Sequence, residues 1–157
     1  MKYKTLVITL VVLIFLTGIA AAKPVITADR TYFDVNTGLY VLNGNVYIEV
    51  GKRVITASQA KVNPVTLEVW GAGGISVTQG DIYFTGDSVY VYGTKDRAKI
   101  DGGVNLSRTN LSISADSAEF NWRTKVANFS GNVNVVQDGN SWSADSVSYN
   151  VELNTFL

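Results

Sequence analysis

The chain has 157 residues, enough for one domain with its own core and short for two. Its 13 Lys and Arg balance 13 Asp and Glu, and only 17% of residues are charged, so no basic field points to nucleic acid. Cysteine and histidine are both absent, which excludes disulfides, thiolate nucleophiles, Ser-His-Asp and Cys-His catalysis and the usual zinc sites; no enzymatic activity, cofactor or metal is expected.

Lys2 and Lys4 precede an apolar run from Leu6 to Ala22 that ends in Ala20-Ala21-Ala22. A basic start, an apolar stretch and small residues at the junction read as a secretory signal over residues 1–22, cleaved after Ala22, with one domain over 23–157. The competing reading keeps the run as a membrane anchor, since its length is near the lower limit for spanning a bilayer. No cysteine follows it to accept a lipid. On either reading the remaining chain lies outside the cytoplasm.

From Val25 onward the residues are rich in Val, Ile, Tyr and Thr, with turn signals about every dozen residues and no helical period. A strand is expected over about Val25 to Asp34, then a turn at Asn36-Thr37-Gly38, a strand over Leu39 to Val50 and a turn at Gly51-Lys52. Further turns are expected at Asn63-Pro64, Gln79-Gly80-Asp81, Gly93-Thr94-Lys95, Arg108-Thr109-Asn110, Arg123-Thr124 and Asp138-Gly139-Asn140. The expectation is an all-β antiparallel meander of about nine long strands, beginning and ending on unpaired strands.

The meander is also a repeat. Gly44-Asn45-Val46, Gly73-Gly74-Ile75, Gly102-Gly103-Val104 and Gly131-Asn132-Val133 recur every 29 residues, and Ala28-Asp29, Ala57-Ser58, Gly86-Asp87, Ala115-Asp116 and Ala144-Asp145 keep the same step. Pairing the strands about their turns draws one line across the sheet through Asp29, Gly44, Ser58, Gly73, Asp87, Gly102, Asp116, Gly131 and Asp145. In the first strand the inward face changes parity between Ala28 and Thr31, which is expected to mark a β-bulge at Asp29-Arg30, while Leu42, Gly44, Val46 and Ile48 stay in phase. Bulges and glycines bend strands, so the sheet is expected to crease along this line and fold into two layers.

The inner surface is then lined in columns. One is Ile26, Ile55, Phe84, Ile113 and Trp142, and a second is Phe33, Val62, Val91, Phe120 and Tyr149. The intervening strands supply Leu42, Ile100 and Phe129, then Val46, Ile75, Val104 and Val133, then Ile48, Val77, Leu106 and Val135. The interior reads as a long apolar trough open at one edge. Such columns are also what an ordinary closed sandwich core would show. Tyr32, Tyr90, Tyr92 and Trp122 are assigned to the outer face.

The Asp residues on alternate strands stand about 9 to 10 Å apart, too far to share an ion, so they are read as partners for free backbone groups at the bulge. The glycines precede no helix and make no phosphate loop. Asn105-Leu106-Ser107, Asn110-Leu111-Ser112 and Asn128-Phe129-Ser130 match the glycosylation pattern, which matters only in a eukaryotic source.

Ile-Thr-Ala-Asp at 26–29 and Ile-Ser-Ala-Asp at 113–116, each followed about fifteen residues later by Gly-Asn-Val, resemble the repeats of the OstA/LptA-like family of periplasmic lipopolysaccharide-transport proteins. Ser58 in place of Asp, and Gly74 and Gly103 in place of Asn, depart from the pattern in single copies. The resemblance implies a folded-over jelly roll, or β-taco, whose interior carries acyl chains of lipopolysaccharide or a related acylated glycolipid. It also implies end-to-end stacking through edge strands and contacts with LptC-like and LptD-like proteins. A charge at Phe84 or Phe129 is then expected to abolish lipid loading without unfolding the domain. The alternatives are a membrane-anchored LptC-like component, an extracellular carbohydrate-binding β-repeat protein using outward aromatics, and a purely structural polymer.

Overall fold

A computed structural model describes residues 25–50 and 52–157. The signal or anchor assigned to residues 1–22 lies outside the described residues. The described chain forms a single antiparallel sheet of strands β1 (Val25–Thr27), β2 (Arg30–Asp34), β3 (Leu39–Val50), β4 (Arg53–Asn63), β5 (Glu68–Gln79), β6 (Ile82–Tyr92), β7 (Arg97–Arg108), β8 (Leu111–Asn121), β9 (Val126–Gln137), β10 (Asn140–Asn150) and β11 (Thr155–Phe156). Each strand from β3 to β11 pairs with the next, and β1 and β2 both pair with β3. Among the described residues no helix is long and apolar enough to cross a membrane.

β1 and β2 are two halves of the expected first strand, interrupted at Ala28-Asp29. With them counted as one, the nine long strands are present. The expected unpaired end is corrected in one respect: β11 folds back on β10 and pairs Tyr149 with Phe156 and Asn150 with Thr155. The edge of β10 therefore stands open only from Asn140 to about Val147.

A register shift crosses every long strand pair along the line drawn from the sequence. Asn43 faces Gln59 and Val46 faces Ala57, so Gly44 and Asn45 together stand against Ser58. In the same way Gly73 and Gly74 stand against Asp87, Gly102 and Gly103 against Asp116, and Gly131 and Asn132 against Asp145. The extra residue thus belongs to the glycine strand, not to the Asp strand where the parity argument put it. The face does change on the Asp strand, where Ala57 packs inward beneath Val46 and the next buried residues are Ala60 and Val62. The insertion that forces this change is on its neighbour.

Backbone sterics explain the composition of the motif. Gly44 and Asn45 have φ of 76° and 46°, Gly73 and Gly74 79° and 83°, Gly102 and Gly103 81° and 53°, and Gly131 and Asn132 77° and 48°. Two successive left-handed residues are needed, and Gly and Asn are the residues that adopt this region at least cost. Gly74 and Gly103 in place of Asn therefore preserve the geometry.

The turns at the other strand ends carry a third 29-residue mark that the sequence reading missed. Asp34, Asn63, Asn121 and Asn150 each accept, on a side-chain oxygen, a bond from the backbone N–H two residues on. Gly38, Leu67, Asp96, Lys125 and Asn154 close these turns with positive φ. Asx-turn chemistry opens each connection and a left-handed residue ends it. Tyr92 breaks the Asx series, and a single 3-10 turn over Gly93–Lys95 replaces it.

The shift line divides the sheet into two arms. Arm one carries the hairpin turns at 80–81, 109–110 and 138–139; arm two carries those at 64–67, 93–96 and 122–125. Phe84 of β6, on arm one, lies 6.3 Å in ring-centroid distance from Phe129 of β9, on arm two. Three strands of one flat sheet would hold them roughly 14 Å apart. The arms are therefore stacked, with β6 and β7 of arm one over β9 and β10 of arm two, three strands further along. The core between them forms two clusters, around Phe129 and around Leu42, that share Ala57 and Val89 at their margins.

Candidate functional site

Most of the residues assigned to the interior do meet there. Ile75, Phe84, Ile100, Val104, Ile113, Phe129 and Val133 form one cluster with half-buried Phe120 against it. Ile26, Leu42 and Val46 belong to the second, with Ile55 against it. Phe33 and Trp142 are not brought in. They are 46% and 41% exposed, at opposite edges of the sheet and on opposite arms. Phe33 packs on Tyr40 at 4.9 Å and Trp142 on Phe156 at 5.5 Å. The stagger of the arms explains both: each lies where one layer overhangs the end of the other.

The open trough expected from the columns is closed in this structure. Ile113, Phe129 and Val135 have no solvent exposure, because the two arms pack on each other as a sandwich does. One depression of about 410 Å³ is lined by Thr56, Ser76, Tyr83, Thr85 and Asp87 with Ile75 and three glycines, a mainly polar set that takes only Ile75 from the apolar columns. The expectation that a charge at Phe129 would spare the fold is corrected by the same packing, since an ionised group with no exposure and no partner there is too costly to hold.

The two lips, where the turns of one arm meet those of the other, are joined by Arg108. This residue ends β7 on arm one, and its guanidinium donates to both carboxylate oxygens of Asp81 at 3.0 and 3.2 Å. Its third nitrogen donates to the Tyr149 hydroxyl at 3.0 Å and the Val151 carbonyl at 2.9 Å, both on arm two. Partial burial works against the Arg108 charge, but the bonds to Tyr149 and Asp81 outweigh it and hold the guanidinium pKa above its ordinary value. Sequence reading passed over Arg108 because only cross-layer contact distinguishes it from any basic residue at a turn.

Along the shift line the Asp side chains do not act as expected toward backbone donors. The Asp29 carboxylate accepts from the Asn45 side chain at 3.0 Å and Asp116 from Asn132 at 2.8 Å, while the Ser58 hydroxyl donates to the Gly73 carbonyl. The glycines have a second reason to be glycine here. A Cβ on Gly44, Gly102 or Gly131 would strike Asp29, Asp87 or Asp116, and one on Gly73 would strike Ser58. Among the described residues no group of three or more carboxylates is placed to hold a metal.

On the outer face Trp70, Tyr90 and Tyr92 form a contiguous aromatic group, with centroids 5.1 and 4.2 Å apart. Tyr90 donates to Glu68; that bond holds the Glu68 carboxyl below its ordinary range and pushes the Tyr90 phenol up to about 12. Lys95 and Arg97 both lie over the Tyr92 ring. Trp122, assigned to this face from sequence, instead packs against the Leu42 cluster. It shares parity with Phe120, which is the signal that could have placed it.

Comparison with known proteins bears on this arrangement in two ways. A family model described as LptA/(LptD N-terminal domain) LPS transport protein matches residues 112–152, which include Ile-Ser-Ala-Asp, Gly131-Asn132-Val133 and Asp145. Among solved structures, the crystal structure of LptH from Pseudomonas aeruginosa, described as the LptA homologous periplasmic component of the conserved lipopolysaccharide transport device, matches with a TM-score of 0.62 at 12% identity, over 72% of this chain and 93% of that one. No curated protein sequence matches the chain. The family model carries the resemblance to OstA/LptA-like proteins, and the LptH likeness shows the all-β fold they share.

Proposed function

From this resemblance to the OstA/LptA-like family, we propose that the chain is a periplasmic lipid-binding transport protein. Its domain over 23–157, exported by a signal over 1–22, shields acyl chains of lipopolysaccharide or a related glycolipid between its arms. The observation that carries the reading is the pair of apolar layers hinged along the glycine line, with Phe84 meeting Phe129 where an acyl chain would lie. Loading requires the arms to part. Each methylene moved from water contributes about 0.8 kcal/mol, so a chain of roughly a dozen methylenes contributes about 10 kcal/mol and replaces the interlayer contacts it displaces. Sugars and phosphates stay outside at the lips, and the driving force comes from other components.

The overhanging edges support the second half of the proposal, an end-to-end bridge between membranes with LptC-like and LptD-like neighbours. β1 and β2 at one end and the open part of β10 at the other present unpaired backbone, beside exposed Phe33 and Trp142. An open strand edge with apolar side chains is a surface for strand addition. The glycan-binding reading rests on Trp70, Tyr90 and Tyr92, but the Tyr90 hydroxyl and the Tyr92 ring are occupied by the protein's own groups.

A photo-crosslinking residue at Phe84 in the native envelope tests the proposal. An adduct with an acylated glycolipid, identified by mass spectrometry, is expected; its complete absence would overturn the lipid reading. Mass spectrometry of the mature N-terminus separates a cleaved signal from a retained anchor.

A further inference from the structure

We propose that Arg108 is a clasp that keeps the two arms shut, and that its release controls entry of a ligand between them. The proposal rests on the reading of the interior as an acyl-chain site. Arg108 sits at the end of arm one, as far along its strand from the hinge line as the strand allows. A tie at that distance from a hinge has the longest lever over opening. Its partners divide between the arms: Asp81 anchors the guanidinium to arm one, and Tyr149 and Val151 receive it on arm two.

Three observations make it a clasp rather than a surface ion pair. The Arg108 side chain is 14% exposed, whereas the cations of Arg97–Glu119 and Lys99–Asp101 are 37% and 49% exposed, and solvent screens such open pairs until they contribute little. Arg108 also bonds residues 41 and 43 positions away, while those pairs tie residues on one strand or on adjacent strands. Its bond to Val151 ends on a backbone carbonyl, so it fixes the position of the lip and not only of a side chain. Beneath it the contact between arms is apolar and non-directional, and can slide or part without any one bond being lost. The bonds from Arg108 to Tyr149 and Val151 must break for the lips to separate there.

The chain lacks cysteine, so Thr109→Cys and Leu153→Cys place unique spin labels on opposite lips at exposed turn positions. In the parent the distance between labels should be short and narrowly distributed. In Arg108→Gln it should lengthen and broaden, and uptake of the apolar fluorophore N-phenyl-1-naphthylamine should quicken by roughly tenfold, the factor that loss of about one charge-assisted hydrogen bond from the closed state gives. Tyr149→Phe removes one hydroxyl while keeping the ring in the core, and should give a smaller change in the same direction. Joining the two cysteines with a bis-maleimide should stop uptake.

Unchanged label distance and unchanged uptake in both variants would overturn the clasp. Undiminished uptake by the cross-linked protein would overturn it too, because entry would then not pass the lips. If the labels separate in Arg108→Gln but neither parent nor variant takes up the fluorophore or lipid A, the clasp stands and the acyl-chain reading fails.

Discussion

Replacing Gly131 by Ala tests the reasoning about the hinge most directly, because the structure supplies its own control. Gly131 has φ of 77° and Gly139 of 81°, so an alanine at either is strained by a similar backbone cost of about 1–2 kcal/mol. Around Gly139 an added Cβ would meet nothing within 4 Å, whereas at Gly131 it would lie 2.5 Å from an Asp116 carboxylate oxygen and 2.9 Å from the Asp116 Cβ. Asp116 must then swing away and give up its bond from Asn132, at a further cost of about 1 kcal/mol. In urea, with a slope of about 2 kcal/mol per M, Gly131→Ala should lower the unfolding midpoint by roughly 0.5 M more than Gly139→Ala. Asp116→Ala should cost about 1 kcal/mol in the parent and far less in the Gly131→Ala background, where the bond from Asn132 is already lost. Equal shifts for the two alanines, or an undiminished cost of Asp116→Ala in the Gly131→Ala background, would refute the claim that the Asp side chain packed on the glycine is why the motif recurs.

Phe129→Ala should cost about 3–5 kcal/mol in urea unfolding, as for a fully buried aromatic, while Phe33→Ala should cost far less because nearly half of Phe33 is exposed. Trp142→Glu should leave the unfolding midpoint nearly unchanged and reduce concentration-dependent assembly in sedimentation velocity. The Tyr90 phenol holds its proton more tightly when folded, so the Tyr90–Glu68 contact is fully stabilising below the ordinary value of 10 and is lost as pH rises toward 12. Glu68→Gln should move one tyrosinate transition, followed by ultraviolet absorbance, back toward 10. Glu68 is held below its ordinary 4.5, so its contribution to stability is present above that pH and fades in more acid solution. Glu68→Gln should flatten the acid limb of the unfolding curve there.

The fold was legible because two marks with a constant 29-residue step fix strand length and turn position together, and pairing turns by simple symmetry placed Gly44 opposite Ser58. Register parity was less informative. It located the change of face on the Asp strand but could not tell which strand held the extra residue, since two left-handed residues in succession return Val46 to the face of Leu42. The interior columns were read from alternation, which says which face a residue takes and nothing about which strand of the other layer covers it. The stagger of the arms depends on twist, a property of the whole sheet. That is why Phe33 and Trp142, assigned to the same columns as Val62 and Phe84, are exposed at the ends, and why Arg108 had no visible role.

The register shift along the glycine line has one more consequence. Every copy restores the same phase after 29 residues and two strands, so the chain is an extendable unit, built like a solenoid from interchangeable pieces. Two strands add about 9.6 Å of width. Excising residues 73–101 would join Ala72 to Gly102 at an equivalent point and shorten the molecule by one such step without moving its hinge. Repeat number would then set the span of the molecule, as a count of rungs sets the length of a ladder.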